Sequence, residues 1–439
     1  MIGEDAATEA RTAITAVLTE FTTGGSPGVV VDSPPGAGKS TLVVEAATRL
    51  AENHEPVMVV AQTNEQVDDL VDRMARAAPA VLIGRLSAQD YVPTPRVNHS
   101  NVTVATNVTD LGQPQITVGT AAKWVHITDH RWPWAILDEA YQMRSDMLLR
   151  IAPRFDRALF VGDPGQLDPF STVDIDRWTG LRWDPMQSAV AAVLRNNPGL
   201  PVHQLPLSWR LDTSAAAPVS KAFYPFTGFR AATAAGVRQL SYQTRGFGRP
   251  DDETLDTAAR TGWALYELPA RHTLRTDTEA VHAVVDLAER VLQRGAVARS
   301  ELDPAGSPVT LDRIAIGAAH RDQAAAIRLA LRDRGIPAIT VDTANRLQGS
   351  EYDLTLVLHP LSGRRDATAF HLESGRLCVL TSRHRHACIV VARAGIQELL
   401  DAHPSSEPMH IDVPAKFPDG WEANQAMLAH LRAHRVAAP

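Results

Sequence analysis

A short glycine-rich stretch near the N-terminus has the residue types that bind a polyphosphate. It reads Ser33-Pro-Pro-Gly-Ala-Gly-Lys39-Ser40, between a predicted strand and a predicted helix. Glycines in such a turn let backbone N–H groups approach phosphate oxygens, and the N-terminus of the following helix attracts negative charge. In this arrangement Lys39 would reach the β- and γ-phosphates of ATP and the Ser40 hydroxyl would be a ligand of Mg²⁺. The candidate phosphate-binding residues are Pro35, Gly36, Ala37, Gly38, Lys39, Ser40 and Thr41.

The stretch departs from the usual pattern at one position. The pattern G-x-x-x-x-G-K-[ST] begins with glycine, whereas this chain has Ser33. The alternative is a turn that is rich in glycine and proline by chance. The position between a strand and a helix favours phosphate binding.

Two adjacent carboxylates, Asp138 and Glu139, supply the chemistry that a phosphate-binding loop lacks. They follow the apolar run Ala135-Ile-Leu137 and so lie at the carboxyl end of a predicted strand, where ligands bind in parallel sheets. Asp138 is the candidate second protein ligand of Mg²⁺, and Glu139 is the candidate base that orients and deprotonates the attacking water. The alternative is an acidic helix start, since carboxylates favour helix N-termini. The phosphate-binding loop upstream decides for the catalytic interpretation.

Apolar runs alternate with helical patterns on both sides of a boundary near Leu205. Continuous apolar strands separated by helices are typical of parallel sheets covered on both faces, so we predict an α/β fold. The predicted strands are residues 28–33, 56–62, 133–139, 157–163, 313–320, 338–343, 353–360 and 387–392. The predicted helices are 39–51, 64–78, 279–294 and 421–434.

This pattern predicts two lobes, residues 1–205 and 206–439. The span 227–308 is less regular, with one clear helix. Residues 85–115 are expected to form a short insertion in the first lobe. The piece from Asp401 onward is expected either to pack on the second lobe or to dock a protein partner.

Composition narrows the function classes. The apolar and charged fractions, 44% and 21%, are those of a globular protein, and no stretch is long and apolar enough to span a bilayer. Two cysteines, Cys378 and Cys388, make no disulfide framework, which favours a cytoplasmic location and core packing of both thiols. No Cys/His pattern has the spacing of zinc ligands, so we predict no zinc site. The net charge of −7 argues against a broadly basic nucleic-acid-binding surface but leaves a local groove open.

Two further motifs resemble a known family. Asp138-Glu-Ala-Tyr-Gln142 and Gly162-Asp-Pro-Gly-Gln166-Leu-Asp-Pro169 are similar to D-E-A-x-Q and G-D-x-x-Q-L-x-P of superfamily 1 helicases, in the B branch with the RNA-decay helicases. The remaining motifs occur in the family's order and cover nearly the whole chain. They are Ala61–Asp68, Val118–Ala121, Leu207–Leu211 with Phe223-Tyr224, Gly317–Gln323, Val341–Glu351 and Leu380–His386.

The resemblance implies a fold of two RecA-like lobes with a nucleotide cleft between them, and it implies roles for single residues. Gln142 and Gln166 would face the nucleotide, the latter as a sensor of the γ-phosphate, while Arg210 and Arg383 would stabilise the transition state from the second lobe. Gly349, Glu351 and Arg385 would lie at the nucleotide as well. The residues expected at a single strand of DNA or RNA are Thr63, Asn64, Thr120 and Thr343.

The chain departs from the family pattern in two places. No glutamine lies between Arg11 and Thr23, where the family has one that recognises adenine, so the preference for ATP is open. His384 replaces the small residue of the last motif.

Three functions follow from these observations. The first is an ATP-driven helicase or single-strand translocase, moving 5′→3′ by resemblance. The second is an ATP-gated assembly switch that recruits a nuclease or another partner without movement. The third, a small-molecule kinase, leaves the second lobe unexplained.

Overall fold

The structure is a computed structural model that describes residues 4–169, 178, 181, 184–402 and 419–439. Within these ranges the chain forms two parallel sheets, one from each half of the sequence. The strands of the first sheet are β1 (Gly28–Asp32), β2 (Val57–Ala61), β3 (Ile83–Leu86), β4 (Val102–Ala105), β5 (Ile116–Thr120), β6 (Trp132–Leu137), β7 (Phe155–Gly162) and β8 (Val202–Gln204). Their order is β4-β3-β5-β2-β6-β7-β1-β8, and every pair is parallel.

The second sheet is built in the same way. Between the two sheets lie the short strands β9 (Leu207–Ser208), β10 (Arg230–Ala231) and β11 (Gln239–Tyr242). The later strands are β12 (Trp263–Leu268), β13 (Ala296–Arg299), β14 (Ser307–Pro308), β15 (Ile314–Ala318), β16 (Thr340–Thr343), β17 (Tyr352–Leu358), β18 (His384–Arg393) and β19 (Arg435–Ala437). The second sheet has the order β16-β15-β17-β18-β12-β19 and is parallel throughout.

Helices cover both faces of each sheet. Those that accompany the first sheet are α1 (Glu4–Thr23), α2 (Lys39–Glu52), α3 (Asn64–Ala77), α4 (Ala121–Trp124), α5 (Ser145–Ile151) and α6 (Ala189–Asn196). Those that accompany the second are α7 (Thr213–Phe223), α8 (Pro250–Thr261), α9 (Thr278–Gln293), α10 (Arg321–Asp333), α11 (Ala344–Leu347), α12 (Ala369–Leu372), α13 (Ser374–Thr381), α14 (Ile396–Ala402) and α15 (Gly420–Arg432).

Successive residues of a strand point into opposite cores. Val29 and Val31 belong to the core beneath α1, α2 and α3, whereas Val30 belongs to the core beneath α4, α5 and α6. The second sheet shows the same alternation, with Val390 in one core and Val391 in the other. A strand buried on both faces must be apolar at every position, which is why the sequence shows continuous apolar runs. The predicted α/β fold of two RecA-like lobes is confirmed.

One sequence expectation stays a prediction and another needs correction. Residues 85–115, which we expected to form a short insertion, contain β4, which pairs in parallel with β3 at one edge of the first sheet. That these residues are an insertion stays a prediction. The span 227–308 is more regular than expected, since it contains α8 and also β12, which lies between β18 and β19 in the second sheet. The run Trp-Ala-Leu-Tyr-Glu-Leu of β12 contains a polar residue, so it lacks the continuous apolar pattern of its neighbours.

The C-terminal helix packs on the second lobe. The apolar face of α15, with Ala423, Met427 and Leu431, is part of the same core as α7 and α13. Residues 403–418 lie outside the described ranges. The proposed lobe boundary at 205/206 stays a prediction.

Candidate functional site

The glycine-rich loop joins β1 to α2 at the carboxyl edge of the first sheet. Gly36 and Gly38 have φ angles of 71° and 93°, in the left-handed region that side chains disfavour. Gly36 is also crowded, because an added Cβ would lie 2.4 Å from Cβ of Arg210. The buried hydroxyl of Ser33 has no hydrogen-bond partner within the part of the chain that the structure describes. The loop is thus shaped by backbone conformation and by its contact with Arg210.

A buried ion pair connects the loop to the adjacent strand end. Nζ of Lys39 lies 2.8 Å from Oε1 of Glu139, and both side chains are largely buried. Burial disfavours the charged lysine, but the nearby carboxylates of Glu139, Asp163 and Asp138 outweigh it and raise the pKa of Lys39. Burial, together with repulsion from Glu139, raises the pKa of Asp138 to about 7. The loop therefore faces an excess of negative charge from its own lobe.

Glu139 has an unusual backbone. Its φ angle is 51°, which is rare for a residue other than glycine. The backbone N–H of Glu139 donates to the Asp138 carboxylate at 3.0 Å, and Nε2 of Gln142 donates to Glu139 Oε2 at 3.4 Å. Strained backbone of this kind occurs most often at functional sites. The two carboxylates are thus fixed in direction by their local hydrogen bonds, and Gln142 lies beside them; its contact with the nucleotide stays a prediction.

Asp163 is a member of the site whose role the sequence did not reveal. It is 2% exposed and accepts hydrogen bonds from Nε2 of Gln166, from the backbone N–H of Gly165 at 3.1 Å and from the hydroxyl of Tyr224 at 2.5 Å. Burial raises the pKa of Asp163 in spite of these donors and of Lys39. Tyr224 follows α7 and belongs to the core of the second lobe. Asp163, whose charge also acts on Lys39, therefore connects the first lobe to a tyrosine of the second.

Arg210 reaches from the second half of the chain to the phosphate loop. The segment that carries it is fixed to the loop by two hydrogen bonds, from the Ser208 hydroxyl to the carbonyl of Pro35 at 2.6 Å and from the Trp209 N–H to the carbonyl of Gly36 at 2.8 Å. The guanidinium group of Arg210 lies 3.2 Å from a carboxylate oxygen of Glu351. Arg210 thus spans from the loop to the second lobe.

Arg383 immediately precedes β18 and Arg385 is the second residue of that strand, but their surroundings differ. Arg385 pairs with Glu351 at 2.9 Å. Arg383 is 1% exposed and donates to the carbonyl of Val379 and to the hydroxyl of Ser382, and none of the described carboxylates lies within ion-pair distance of it. Burial and the charge of Arg210 lower the pKa of Arg383 to about 10. Arg383 is therefore the cation of this group that lacks a carboxylate partner.

Glu351 forms ion pairs with both Arg210 and Arg385. Burial opposes its ionisation, but Arg210 and Arg385 outweigh this effect and lower its pKa. Gly349, in the same loop before β17, has a φ angle of 85°. The structure therefore gives Glu351 a role that the motif did not reveal: it aligns two arginines.

The residues expected at a nucleic-acid strand lie at the carboxyl edges of the two sheets. Thr63 follows β2, Thr120 ends the neighbouring strand β5, and Thr343 ends β16 in the second sheet. The Thr63 and Thr120 hydroxyls accept backbone N–H groups of α3 and α4, so both also act as helix caps. Oδ1 of Asn64 accepts from Arg85 at 2.9 Å, which leaves the amide nitrogen as the donor that can face a ligand.

Two residues with large rings next to the motifs, Trp124 and His384, are buried. Trp124 is fully buried, and its indole N–H donates to the carbonyl of Val59 at 3.1 Å, so it is a core residue. His384, in place of the family's small residue, is buried against Trp263 with ring centroids 4.8 Å apart. Neither ring nitrogen of His384 has a partner among the described residues, and burial lowers its pKa to about 3. His384 is therefore a neutral packing residue.

Comparisons with known proteins agree with this two-lobed site. An AAA domain family matches residues 13–175, and a second AAA domain family matches residues 254–395. A search of the curated proteins finds no match. None of the described helices has the length and apolar character needed to cross a membrane.

Several solved helicases align with most of the chain. The nonstructural protein 10 helicase of an arterivirus is 13% identical, with a TM-score of 0.45, over 87% of this chain and 61% of its own. Its complex with DNA is 13% identical, with a TM-score of 0.45, over 89% of this chain and 65% of its own. The PRRSV helicase is 15% identical, with a TM-score of 0.42, over 92% of this chain and 57% of its own. The chain thus spans about three-fifths of the length of these helicases. The order of the two AAA domain families along the chain, together with its motifs, confirms the predicted similarity to superfamily 1 helicases.

Proposed function

We propose that this chain is an ATP-dependent helicase or translocase that moves 5′→3′ along single-stranded DNA or RNA, as in the B branch of superfamily 1. The observation that carries the proposal is the contact between Arg210 and Gly36. Through it, an arginine that pairs with Glu351 of the second lobe lies against the phosphate loop of the first. A site shared by two lobes changes when the lobes move, so hydrolysis there can be coupled to movement.

The first lobe fits Mg²⁺-ATP on several grounds. Two left-handed glycines shape the loop, and the Ser33 hydroxyl is a buried polar group that a ligand could satisfy. Three buried carboxylates face a single lysine in this lobe, Lys39, an excess of negative charge that suits a divalent cation. Ser40 and Asp138 would hold the metal, and residues 35–41 would cradle the phosphates. When bound, the metal would neutralise charge on the transferring phosphoryl group.

The chain's own residues would divide the chemistry among them. Glu139 would take the proton of the attacking water, and it must release Lys39 so that the lysine can bind phosphate oxygen. Arg383 has no carboxylate partner among the described residues, so it is free to stabilise the negative charge that builds up at the γ-phosphate. Gln166, hydrogen-bonded to Asp163, would transmit the state of the site to the second lobe through Tyr224.

The test is ATP turnover measured with single-stranded DNA, single-stranded RNA and duplexes at several salt concentrations. We expect either single strand to stimulate turnover, with a steep salt dependence from phosphate contacts. Lys39→Ala and Glu139→Gln should abolish the stimulated rate, whereas Lys221→Ala, which changes an exposed lysine on α7, should not. Displacement of streptavidin from the 3′ end but not the 5′ end of an oligonucleotide would establish the direction.

The alternative is an ATP-gated assembly switch that recruits a protein partner without moving. The net charge of −7 favours it, because a motor on nucleic acid usually has a basic surface. A flat ATPase response to every nucleic acid, combined with ATP-dependent capture of a partner, would support the switch and reject the motor.

A further inference from the structure

An exposed phenylalanine in the second lobe is fixed between polar side chains. Phe370, on α12, is 42% exposed. The ring of His320 stacks on it with centroids 4.9 Å apart and an angle of 18°, and the guanidinium carbon of Arg376 lies 3.8 Å from the centre of the phenyl ring. Nε2 of His320 lies 3.1 Å from Nε2 of His371. The ring is therefore exposed but oriented by its neighbours, which an apolar residue left at the surface by chance would not be.

The surroundings of the ring are positively charged. Burial, together with Arg364, Arg275 and Arg376, lowers the pKa of His320 to about 4, so this imidazole is neutral at pH 7 and the charge resides on the arginines. Arg275 pairs with Asp322, and Arg376 pairs with Glu373.

Arg364 differs from the other two arginines. Within the described residues no carboxylate lies within ion-pair distance of it, and its buried Nε has no hydrogen-bond partner. Its outer nitrogen donates to the carbonyl of Arg275 at 3.1 Å. A cation without a carboxylate partner, close enough to affect the imidazole that stacks on an exposed aromatic ring, suits a ligand that is both anionic and aromatic.

The position of Phe370, His320 and Arg364 in the fold indicates which kind of ligand they bind. β15 ends at Ala318, whose register partner on the neighbouring strand is Thr343, the residue expected at the nucleic-acid strand. His320 follows two residues later, so the aromatic group lies at the same edge of the second sheet as Thr343.

The same group is close in sequence to a contact with the first lobe. At the start of α13, an added Cβ on Gly375 would lie 2.4 Å from the carbonyl oxygen of Gln166, the candidate γ-phosphate sensor. Arg376 is the next residue, and its Nε donates to the carbonyl of Phe370 at 3.1 Å. A ligand on the phenyl ring would thus lie one side chain away from the segment that contacts the sensor.

We propose that Phe370, supported by His320 and Arg376, is a stacking platform for one base of a single-stranded nucleic acid, and that Arg364 binds an adjacent phosphate. Every base has a π face, so a platform of this kind is tolerant of sequence, and the neighbouring cations favour the backbone. This inference rests on the proposed motor function and adds to it a base contact in the second lobe that no motif of the family resemblance includes.

The experiment measures the affinity of the full chain for oligo-dT, for oligo-U and for an abasic oligonucleotide of the same length. Phe370→Ala should weaken binding of both base-containing strands by about 5-fold or more, the range seen when one stacking aromatic is removed. It should leave binding of the abasic strand and ATP turnover without nucleic acid unchanged. Arg364→Ala should weaken binding of all three strands. It should also reduce the slope of log affinity against log salt concentration by about one, the value for one phosphate contact.

Two controls keep the outcome interpretable. Phe370→Trp should retain or improve binding, because it preserves a stacking surface. Phe247→Ala removes another exposed phenylalanine beside an arginine, Arg290, whose guanidinium lies 5.6 Å from the ring, and should bind as the wild type does. Melting temperatures of all variants show whether they fold, and Phe370→Leu replaces Phe370→Ala if the alanine variant does not.

The outcomes separate this inference from the proposed function. If a single strand binds the wild type and stimulates its ATP turnover, while Phe370→Ala binds that strand with the same affinity, base stacking on Phe370 is rejected. The proposed motor function is then unaffected. Equal weakening of base-containing and abasic strands would also reject stacking, since the loss would not depend on bases. If the wild type responds to no nucleic acid, the proposed function itself fails, and Phe370 becomes a candidate for contact with a protein instead.

Discussion

Replacing Tyr224 by phenylalanine tests the connection between the two lobes with the loss of one oxygen atom. The Tyr224 hydroxyl donates to Asp163 at 2.5 Å and lies 3.6 Å from the sulfur of Cys378. Asp163 keeps Gln166 and the Gly165 N–H, so it loses one of the three donors described here. A hydrogen bond to a charged group contributes about 1.5–3 kcal/mol. Since about 1.4 kcal/mol corresponds to a factor of ten, the variant should disfavour the observed lobe arrangement by about 10- to 150-fold.

The assay combines steady-state ATP turnover with urea unfolding. We expect turnover to fall by about ten-fold or more and the free energy of unfolding to fall by about 1.5–3 kcal/mol. Tyr242→Phe is the matched control, because the Tyr242 hydroxyl is also buried but has no partner among the described residues. Removing that hydroxyl should leave both quantities unchanged or improve stability slightly. Wild-type turnover in Tyr224→Phe would show that the hydrogen bond does not couple the lobes.

Four further variants test other parts of the site. Glu139→Gln should retain nucleotide binding but lower turnover by about 10²–10⁴-fold, measured by phosphate release, as expected when a general base is lost. Arg383→Ala should lower turnover by about 10³-fold or more with little effect on nucleotide affinity, and equal losses in both would contradict a transition-state role. Gly36→Ala should impair ATP binding in a fluorescent-nucleotide titration, because the new Cβ would meet Arg210. The pKa of His384 is lowered to about 3 in the folded protein, so between about pH 6.5 and 3 only the unfolded chain binds a proton at this residue. The free energy of unfolding therefore falls as the pH falls. His384→Leu should reduce this pH dependence by one proton, measured by urea unfolding at several pH values.

Much of the fold could be predicted because each lobe has a sheet buried on both faces. The runs 56–62 and 387–392 are apolar at nearly every position and have no other stable location, and they correspond to β2 and part of β18. The glycine-rich loop could be recognised because its chemistry depends on neighbouring residues in sequence. β12 was missed because Glu267 interrupts its apolar run, although the pairing with β18 and β19 settles its place.

The contacts that complete the site could not be predicted from local patterns. Asp163 and Tyr224 are far apart in the sequence, and nothing near either one indicates the other. The same holds for Arg210 and Glu351, which pair although they are 141 positions apart in the sequence.

The backbone at Glu139 has a consequence for how this protein can change. A left-handed conformation costs a residue with a side chain of the order of 1–3 kcal/mol, and glycine would avoid most of that cost. Glycine would also remove the carboxylate and break its buried ion pair with Lys39, a loss of about 3–5 kcal/mol that exceeds the strain relieved. Screens for heat-resistant variants should therefore retain Glu139 in spite of its strained backbone.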